Sequence, residues 1–320
     1  MKRIAVVTSG GDAPGMNAAI RAVVRTALFH GLEVLGVERG YKGLIEGQVD
    51  ELTRRSVSGI VNLGGTVLKT ARCERMKARE GVAKAVETLR KNGIEGVVII
   101  GGDGSLRGAW KLYKASGIPV IGIPASIDND VAGTDYTIGF DTAANTALEA
   151  IDKIRDTATS HERVFIIEVM GRNRGFLALQ VGLAAGAEFI LVPEIRYSLG
   201  KICRELEEAR KKGKRSSIIV MAEGAGDSSE VAREIARRTG YEVRVSTLGY
   251  VQRGGPPTAF SRHLASVFGH EAVRLLIKGR GGLMVGMERG RVVAHRLDYA
   301  WRGRKKLDRK LYRLNAILAT

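Results

Sequence analysis

The sequence predicts an α/β fold whose sheet is largely parallel. Short apolar runs alternate with helical segments along the chain, and glycine-rich turns follow several of these runs. Parallel strands joined by crossover helices bring their carboxyl ends to one edge of a sheet, and open α/β sheets bind ligands at that edge. The pattern therefore predicts a ligand site assembled from the turns that follow the strands.

Composition limits the class of protein. The 320 residues are 44% hydrophobic and 27% charged, which is typical of a globular chain with one large or two ordinary domains. No apolar run approaches the roughly 18 residues of a membrane-spanning helix, and a strand-like run starts directly after Arg3. Cys73 and Cys203 lie far apart without metal-ligand spacing. We therefore expect a cytoplasmic protein with no signal peptide and no membrane partner.

The net charge of +17 favours anionic ligands and would also promote non-specific adhesion to nucleic acid. The positive charge is nevertheless spread along the chain, and only 5% of the residues are aromatic. A dedicated single-strand binder would interleave stacking aromatic residues with its basic groove. We therefore expect no specific nucleic-acid partner.

In chain order, the first third contains strand-like runs at Ile4–Val7 and Glu33–Val37, with a helix that ends near Phe29 between them. Glycine-bearing turns follow at Ser9–Asn17, at Gly40 and at Gly64–Thr66. The first of these turns lacks the spacing of a Rossmann fingerprint and the Lys-Ser/Thr pair of a P-loop. A sheet edge lined by such turns could still surround a nucleotide.

The stretch Val97–Asp130 is predicted to form a βαβ unit, and both of the turns that follow its strands contain candidate functional residues. In Gly101–Ser105, three glycines allow close approach of phosphates to backbone N–H groups, and Ser105 can cap a helix whose N-terminus attracts anions. Asp103 beside this cradle suggests a Mg²⁺ ligand. Asp128, after the next strand, is the candidate to accept a proton from an attacking hydroxyl group. Each turn alone is equally compatible with ordinary loop chemistry.

The rest of the chain continues the alternation of helices and strands. Arginines recur near the strand ends, where guanidinium groups suit bidentate phosphate binding, although isolated surface arginines are usually solvated. The predicted helices are 143–157, 176–185, 199–212, 229–238 and 258–278, and the predicted strands are 164–169, 189–192, 218–222, 242–246, 283–287 and 291–294.

Six motifs together resemble the bacterial-type 6-phosphofructokinases, in the same order over essentially the whole chain. They are Ser9–Asn17, Gly101–Ser105, Ile127–Asp130, Gly133–Gly139, Val169–Arg172 and Gln252–Gly255. The resemblance implies a homotetramer of two doubly wound α/β domains with mostly parallel sheets. Residues 1–139 plus 251–302 would bind ATP, and residues 140–250 plus 303–320 would bind the sugar phosphate. It also implies Mg²⁺-dependent phosphorylation of fructose 6-phosphate by ATP at the 1-hydroxyl group, a step of glycolysis.

The resemblance also implies roles for the matching residues. Asp128 would accept the proton, Arg72 and Arg172 would stabilise charge on the transferring phosphoryl group, and Asp103 would bind Mg²⁺. The nucleotide positions are Gly11, Tyr41, Arg72, Cys73, Gly102, Asp103, Gly104 and Ser105. The sugar-phosphate positions are Ser126, Ile127, Asp128, Arg163, Met170, Gly171, Arg172, Glu223, Arg244, Tyr250 and Arg253, with Arg163 and Arg244 expected from a neighbouring subunit. Gly104 favours ATP as donor, because pyrophosphate-using relatives usually carry Asp at this position.

A further set matches positions where family members bind a nucleoside diphosphate (ADP or GDP) or phosphoenolpyruvate between subunits. These residues are Arg21, Arg25, Arg54, Arg155, Glu188, Lys212 and Lys214. Their mostly cationic character suits such anionic effectors. On so basic a chain, the same residues are also compatible with a solvated surface.

Three departures from the family pattern bear on the acceptor. Ala125 and Ser126 stand where Gly and Thr are usual, and Tyr250 stands where a His usually contacts the sugar phosphate. Ala125 adds a methyl group at a position that could require a positive φ. Two alternatives therefore stay open. One is a kinase for another ketose phosphate, such as tagatose 6-phosphate or sedoheptulose 7-phosphate, and the other is a non-catalytic effector-sensing paralogue.

Overall fold

The computed structural model describes residues 1–319, which divide into two compact units. The first unit contains Met1–Thr142 and Arg253–Lys305, and the second contains Ala143–Gln252 and the residues from Lys306 onward. Each unit is built around its own sheet. Within residues 1–319, no helix combines the length and the apolar character needed to cross a membrane.

Strands and helices alternate through both units. The strands are β1 (Arg3–Ser9), β2 (Glu33–Val37), β3 (Val49–Glu51), β4 (Gly96–Gly101), β5 (Val120–Ser126), β6 (Ile138–Gly139), β7 (Val164–Val169), β8 (Phe189–Leu191), β9 (Ser217–Ala222), β10 (Val243–Thr247), β11 (Leu283–Glu288) and β12 (Arg291–Arg296). The helices are α1 (Met16–Phe29), α2 (Gly40–Glu46), α3 (Arg79–Lys91), α4 (Asp103–Ser116), α5 (Phe140–Ser160), α6 (Phe176–Ala184), α7 (Leu199–Lys211), α8 (Ser228–Thr239), α9 (Ala259–Ile277), α10 (Tyr299–Arg302) and α11 (Arg309–Leu318).

The sheet of the first unit has the strand order β12-β11-β5-β4-β1-β2-β3, with β6 paired to β5. Its central strands are parallel, and β3 and β12 are antiparallel at the edges. From the centre, the order runs outward through β2 on one side and through β4 and β5 on the other. The topological switch point therefore lies between β1 and β4, and open α/β sheets bind ligands at such a point. The turns after β1 and β4 flank it.

Helices cover both faces of this sheet. Strand β4 is fully buried and apolar throughout, as expected for a central parallel strand. Its residues Val97 and Ile99 join a core with residues of α2, α3 and α4, including Leu44, Leu89 and Leu106. The alternate β4 residues face the other way, where α1 and α9 pack together.

The second unit has a four-stranded parallel sheet with the order β10-β7-β9-β8. Its core joins apolar strand residues such as Ile166 and Ile219 to helix residues such as Ile202, Leu206 and Ile235. Because all four strands are parallel, the turns that follow them lie at one edge of this sheet.

The fold class predicted from the sequence is confirmed, and the predicted helices and strands agree with the structure to within a few residues at their ends. Sequence reasoning did not assign α2, α3, α10, α11, β3 and β6. For α3 a signal was present, because Val82, Val86 and Leu89 recur at helical spacing and are buried.

Candidate active site

The turns after β1 and β4 approach each other closely. Ser9 pairs with Gly101, where a Cβ atom would lie 2.3 Å from the Ser9 carbonyl oxygen and 2.6 Å from Ser105 Oγ. The Ser105 hydroxyl donates a 2.7 Å hydrogen bond to that same carbonyl. Only glycine fits at position 101, and the bond fixes the start of α4 against β1. The expectation that Ser105 caps α4 is wrong, because the cap position is Gly102 and Ser105 lies inside the helix.

Tyr41 packs against α4 and hydrogen-bonds to it. The side chain is 3% exposed, and its hydroxyl donates a 2.6 Å hydrogen bond to the carbonyl oxygen of Ser105. A Cβ atom at Gly108 would lie 2.6 Å from the tyrosine ring, so the ring fills the space that this glycine leaves. Burial raises the pKa of Tyr41 well above its ordinary value and keeps the phenol neutral. Its assignment as a nucleotide contact stays a prediction.

Asp103 is the first residue of α4 and carries the carboxylate of the cradle. Both of its carboxylate oxygens accept 3.2 Å hydrogen bonds from Arg107 Nε, one turn further along the helix. Mg²⁺ prefers oxygen ligands and is often held by one or two carboxylates together with substrate phosphates. Among residues 1–319, no three His, Cys, Asp or Glu side chains are grouped to form a metal cage. Asp103 therefore fits a Mg²⁺ ion that a polyphosphate would share.

A loop before Arg72 is tied to the first glycine turn. The amide of Asn17, on α1, donates to the carbonyl oxygens of Leu63 and Gly64 at 3.1 Å. The Thr70 hydroxyl donates a 2.9 Å hydrogen bond to the Gly10 carbonyl oxygen. Arg72 thus lies two residues beyond a fixed contact with the cradle, and its side chain is exposed. Sequence reasoning gave no role to Asn17 or Thr70, although an asparagine in a largely apolar helical segment was an available signal.

Arg253 lies against the same glycine turn. A Cβ atom at Gly11 would come within 3.1 Å of Arg253 Nη1, and this nitrogen is 3.9 Å from an Asp12 carboxylate oxygen. The arginine is largely buried, at 17% exposed. The structure therefore places a guanidinium group beside a predicted nucleotide position.

The turn after β5, which leads to Asp128, begins next to the cradle. A Cβ atom at Gly102 would lie 3.7 Å from Ser126 Cβ and from the Ala125 carbonyl oxygen, so the β4 and β5 turns converge. Asp128 is 3% exposed, and its backbone N–H donates a 3.2 Å hydrogen bond to Ser126 Oγ. Ile127 is also buried.

Ala125 does not occupy a strained position. It lies within β5, pairs with Ile138 of β6, is 1% exposed and does not have a positive φ. The concern that its methyl group conflicts with a required positive φ is therefore wrong, because this residue is regular strand rather than turn.

Asn129 organises the loop that follows Asp128. It adopts a left-handed conformation with φ of 51°. Its Oδ1 accepts a 3.0 Å hydrogen bond from the Thr137 N–H, and its Nδ2 donates to the Asp135 carbonyl oxygen at 3.0 Å. The Lys305 ammonium group donates to the same two oxygens, at 2.8 and 2.9 Å. Sequence reasoning missed Lys305, because a lysine in a basic segment carries no signal of burial.

In the second unit, Glu223 holds the turn after β7. One carboxylate oxygen accepts hydrogen bonds from the backbone N–H groups of Gly171, at 3.1 Å, and of Arg172, at 2.5 Å. Arg172 has a φ of 53°, and a Cβ atom at Gly224 would lie 2.1 Å from its carbonyl oxygen. Met170 is 9% exposed. The structure thus brings together Glu223 and the predicted residues Met170, Gly171 and Arg172.

Arg163 and Arg244 lie at the opposite edge of that sheet, at the amino ends of β7 and β10. Both pair with Glu242, which is 2.8 Å from Arg163, and hydrogen bonds from Arg163 and Arg244 lower the pKa of the Glu242 carboxyl group. Within one chain they are therefore separated from Met170–Arg172 by the length of β7. Tyr250 is 79% exposed.

The predicted effector residues fall into two groups. In the second unit, Glu188 pairs with Lys214 at 2.6 Å, and both line a pocket of about 880 Å³ together with Lys212. Arg155 donates hydrogen bonds to the carbonyl oxygens of the neighbouring residues 185 and 186. In the first unit, Arg25 donates a 3.3 Å hydrogen bond to the Arg54 carbonyl oxygen, and Arg21 lies one turn earlier on α1.

Parallel sheets, glycine turns at a switch point and carboxylates in those turns are typical of α/β proteins that bind phosphate groups. The family model for phosphofructokinase matches residues 3–276, and the chain belongs to the phosphofructokinase family. It is 54% identical to the "ATP-dependent 6-phosphofructokinase" of Halalkalibacterium halodurans and 53% identical to that of Clostridium tetani, over 319 residues and the full length of each chain.

Solved structures of phosphofructokinases share this fold. The phosphofructokinase of Saccharomyces cerevisiae matches with a TM-score of 0.91 and 35% identity over all of this chain. The match covers 48% of the yeast chain, so this chain spans about half its length. A pyrophosphate-dependent phosphofructokinase from Marinobacter aquaeolei matches with a TM-score of 0.85 and 24% identity, which supports the fold alone.

Proposed function

We propose that this protein transfers the γ-phosphoryl group of ATP to the 1-hydroxyl group of D-fructose 6-phosphate, giving fructose 1,6-bisphosphate and ADP in cytoplasmic glycolysis. The observation that carries the proposal is 54% identity, along the whole chain, to a protein named for this reaction. The glycine cradle would bind the phosphates, and the buried Asp128 on the turn after β5 would act on the acceptor hydroxyl group.

Asp128 would act as the general base. It would take the proton of the 1-hydroxyl group while that oxygen forms a bond to the γ-phosphorus and the bond to the β,γ-bridging oxygen breaks, releasing ADP. Backbone N–H groups at the start of α4 and after β1 would bind the phosphate oxygens, and Arg72 and Arg172 would stabilise the charge that develops on the transferring group. When bound through Asp103, Mg²⁺ would neutralise phosphate charge.

Glu223 would hold the turn Met170–Arg172 in the conformation that binds the sugar phosphate, together with Arg253. Arg163 and Arg244 lie at the other edge of the second sheet, which supports their contribution to the site of a neighbouring subunit. A homotetramer would supply them. The pocket at Glu188, Lys212 and Lys214 would form the second unit's part of an effector site for ADP, GDP or phosphoenolpyruvate.

The test measures ADP release from Mg·ATP by purified protein with fructose 6-phosphate, tagatose 6-phosphate, sedoheptulose 7-phosphate or no acceptor, and then repeats the assay with pyrophosphate as donor. We expect fructose 6-phosphate with ATP to give the highest kcat/KM. Preference for another acceptor or donor would overturn the assignment of that substrate. ATP binding without turnover on any acceptor would favour the non-catalytic paralogue.

A further inference from the structure

Lys305 joins the two ends of the loop that carries Asp128. Its ammonium group donates to Asn129 Oδ1 at 2.8 Å and to the Asp135 carbonyl oxygen at 2.9 Å. Asn129 directly follows Asp128, and Asp135 lies six residues further along, near the return to β6. A single cation from the segment after α10 therefore ties the start of this loop to its end.

These hydrogen bonds are not needed to satisfy the two oxygens. Asn129 Oδ1 also accepts from the Thr137 N–H at 3.0 Å, and the Asp135 carbonyl oxygen also accepts from Asn129 Nδ2 at 3.0 Å. Removal of the ammonium group would leave each oxygen with a donor. The need to give each buried oxygen a hydrogen-bond donor therefore does not explain the contact that Lys305 makes.

The charge of Lys305 is maintained against the effect of burial. Burial lowers the pKa of Lys305 to about 8, and the attraction of Asp135 and Asp130 opposes this shift only in part. A lysine whose pKa is lowered on folding reduces stability at neutral pH, because the folded state disfavours its charged form. Lys305 is thus partly buried at an energetic cost, and it contacts the side chain of Asn129, the residue that follows Asp128.

We propose that Lys305 is a positioning residue for the catalytic loop: its ammonium group holds Asn129 in the left-handed conformation and thereby keeps the Asp128 carboxylate in place for proton transfer. This inference rests on the proposed function. Asn129 has a φ of 51°, which asparagine tolerates better than most residues, so the contacts of its side chain decide how firmly the loop is held in this conformation. Small displacements matter in this reaction, because an error of about 1 Å in the position of a reacting group can lower the rate about 100-fold.

The first test compares Lys305→Met, Lys305→Arg and the control Lys306→Met, whose exposed lysine is the next residue. For Lys305→Met we expect kcat to fall roughly 10- to 100-fold, with the KM for ATP within about twofold of wild type. The melting temperature should stay equal or rise, because the buried charge is gone. Lys305→Arg should restore most of kcat, and Lys306→Met should match the wild type.

The pH profile separates positioning from a merely structural role. The wild-type kcat should decline above about pH 8, where Lys305 loses its proton. In Lys305→Arg the decline should move to higher pH, because guanidinium stays protonated. A kcat that falls together with the melting temperature and is not restored by arginine would make Lys305 structural only. An unchanged kcat in Lys305→Met would overturn the inference outright.

A second readout does not depend on the substrate. The Thr137 N–H donates to Asn129 Oδ1, so its hydrogen exchange should become faster in Lys305→Met and return toward the wild-type rate in Lys305→Arg. If the wild type phosphorylates no sugar while this exchange responds as expected, the proposed function fails and the contact stands. If the wild type is active and Thr137 exchange is unchanged, the inference fails and the function stands.

Discussion

Replacement of Gly101 by Ala should destabilise the first unit strongly, whereas Gly104→Ala in the same cradle should not. A Cβ atom at Gly101 would lie 2.3 Å from the Ser9 carbonyl oxygen, and Cβ contacts under 3.0 Å essentially never occur. The Ser9 carbonyl oxygen would therefore have to move at least about 0.7 Å away from β4, and the close packing around this fully buried strand resists such a shift. At Gly104, no atom lies within 4 Å of the added methyl group.

The magnitude follows from two contributions. Overpacking of a tight core costs about 1–3 kcal/mol, and loss of the Ser105 hydrogen bond to the Ser9 carbonyl oxygen would add about 1–3 kcal/mol. A sum of roughly 2–6 kcal/mol corresponds to a fall in melting temperature of roughly 5–20 °C for a unit of this size. Gly104→Ala should instead gain up to about 1 kcal/mol, since alanine is the better helix former.

The assay is thermal unfolding by circular dichroism, followed by ADP release at saturating fructose 6-phosphate. We expect Gly104→Ala to fold normally and to raise the KM for ATP about tenfold or more, because its methyl group would lie where the phosphates approach the backbone. A Gly101→Ala melting temperature within about 1 °C of wild type would refute the packing argument. Equal destabilisation by both variants would refute the distinction between a structural and a ligand-facing glycine.

Three further predictions concern the carboxylates and Lys305. Asp128→Asn should lower kcat about 10²- to 10⁴-fold without lowering the melting temperature, as expected for loss of a general base; wild-type turnover would exclude Asp128 from that role. Glu223→Gln should raise the KM for the sugar phosphate more than the KM for ATP, because the amide oxygen of Gln accepts the hydrogen bonds of the Gly171 and Arg172 N–H groups less strongly than a carboxylate does. Steady-state kinetics with each substrate varied in turn will show whether the two KM values change differently. Lys305 has a pKa of about 8 in the folded protein against an ordinary 10.5, so the unfolded state binds more protons between these two values and the free energy of unfolding should rise with pH across this range. Urea unfolding of the wild type and of Lys305→Met measures this rise. A difference in unfolding free energy between the two proteins that is constant from pH 7 to about pH 10 would contradict the shift.

The sequence predicted those parts of the fold and site that depend on local pattern. Apolar runs identified the central strands, and glycine spacing identified the turns at the switch point, because parallel topology fixes which strand ends meet. Asp103 and Asp128 stood out because carboxylates beside a phosphate cradle need a chemical reason. These inferences needed only neighbours in the chain and the general rules of α/β folds.

The parts that sequence reasoning missed depend on contacts between distant residues. Ser105 was expected to cap α4, but its partner is the Ser9 carbonyl oxygen, 96 residues earlier. Lys305 contacts Asn129 across 176 residues, and nothing near it in the chain marks it as partly buried. Arg163 and Arg244 were grouped with other strand-end arginines, yet they lie at the amino ends of their strands. The predicted strands 164–169 and 242–246 already put both arginines near amino ends, and grouping them with residues that follow strands overlooked this.

The three departures from the family pattern differ in what they can affect. Ala125 is a buried residue of β5, so its methyl group packs within the first unit and is not part of the loop that carries Asp128. Ser126 keeps the hydroxyl group that accepts from the Asp128 N–H, which is the contact a threonine would also provide. Tyr250 is 79% exposed and cannot become cationic near neutral pH as histidine can. Any shift in acceptor preference is therefore expected from Tyr250 rather than from Ala125, which is regular strand, or Ser126, which keeps its hydroxyl group.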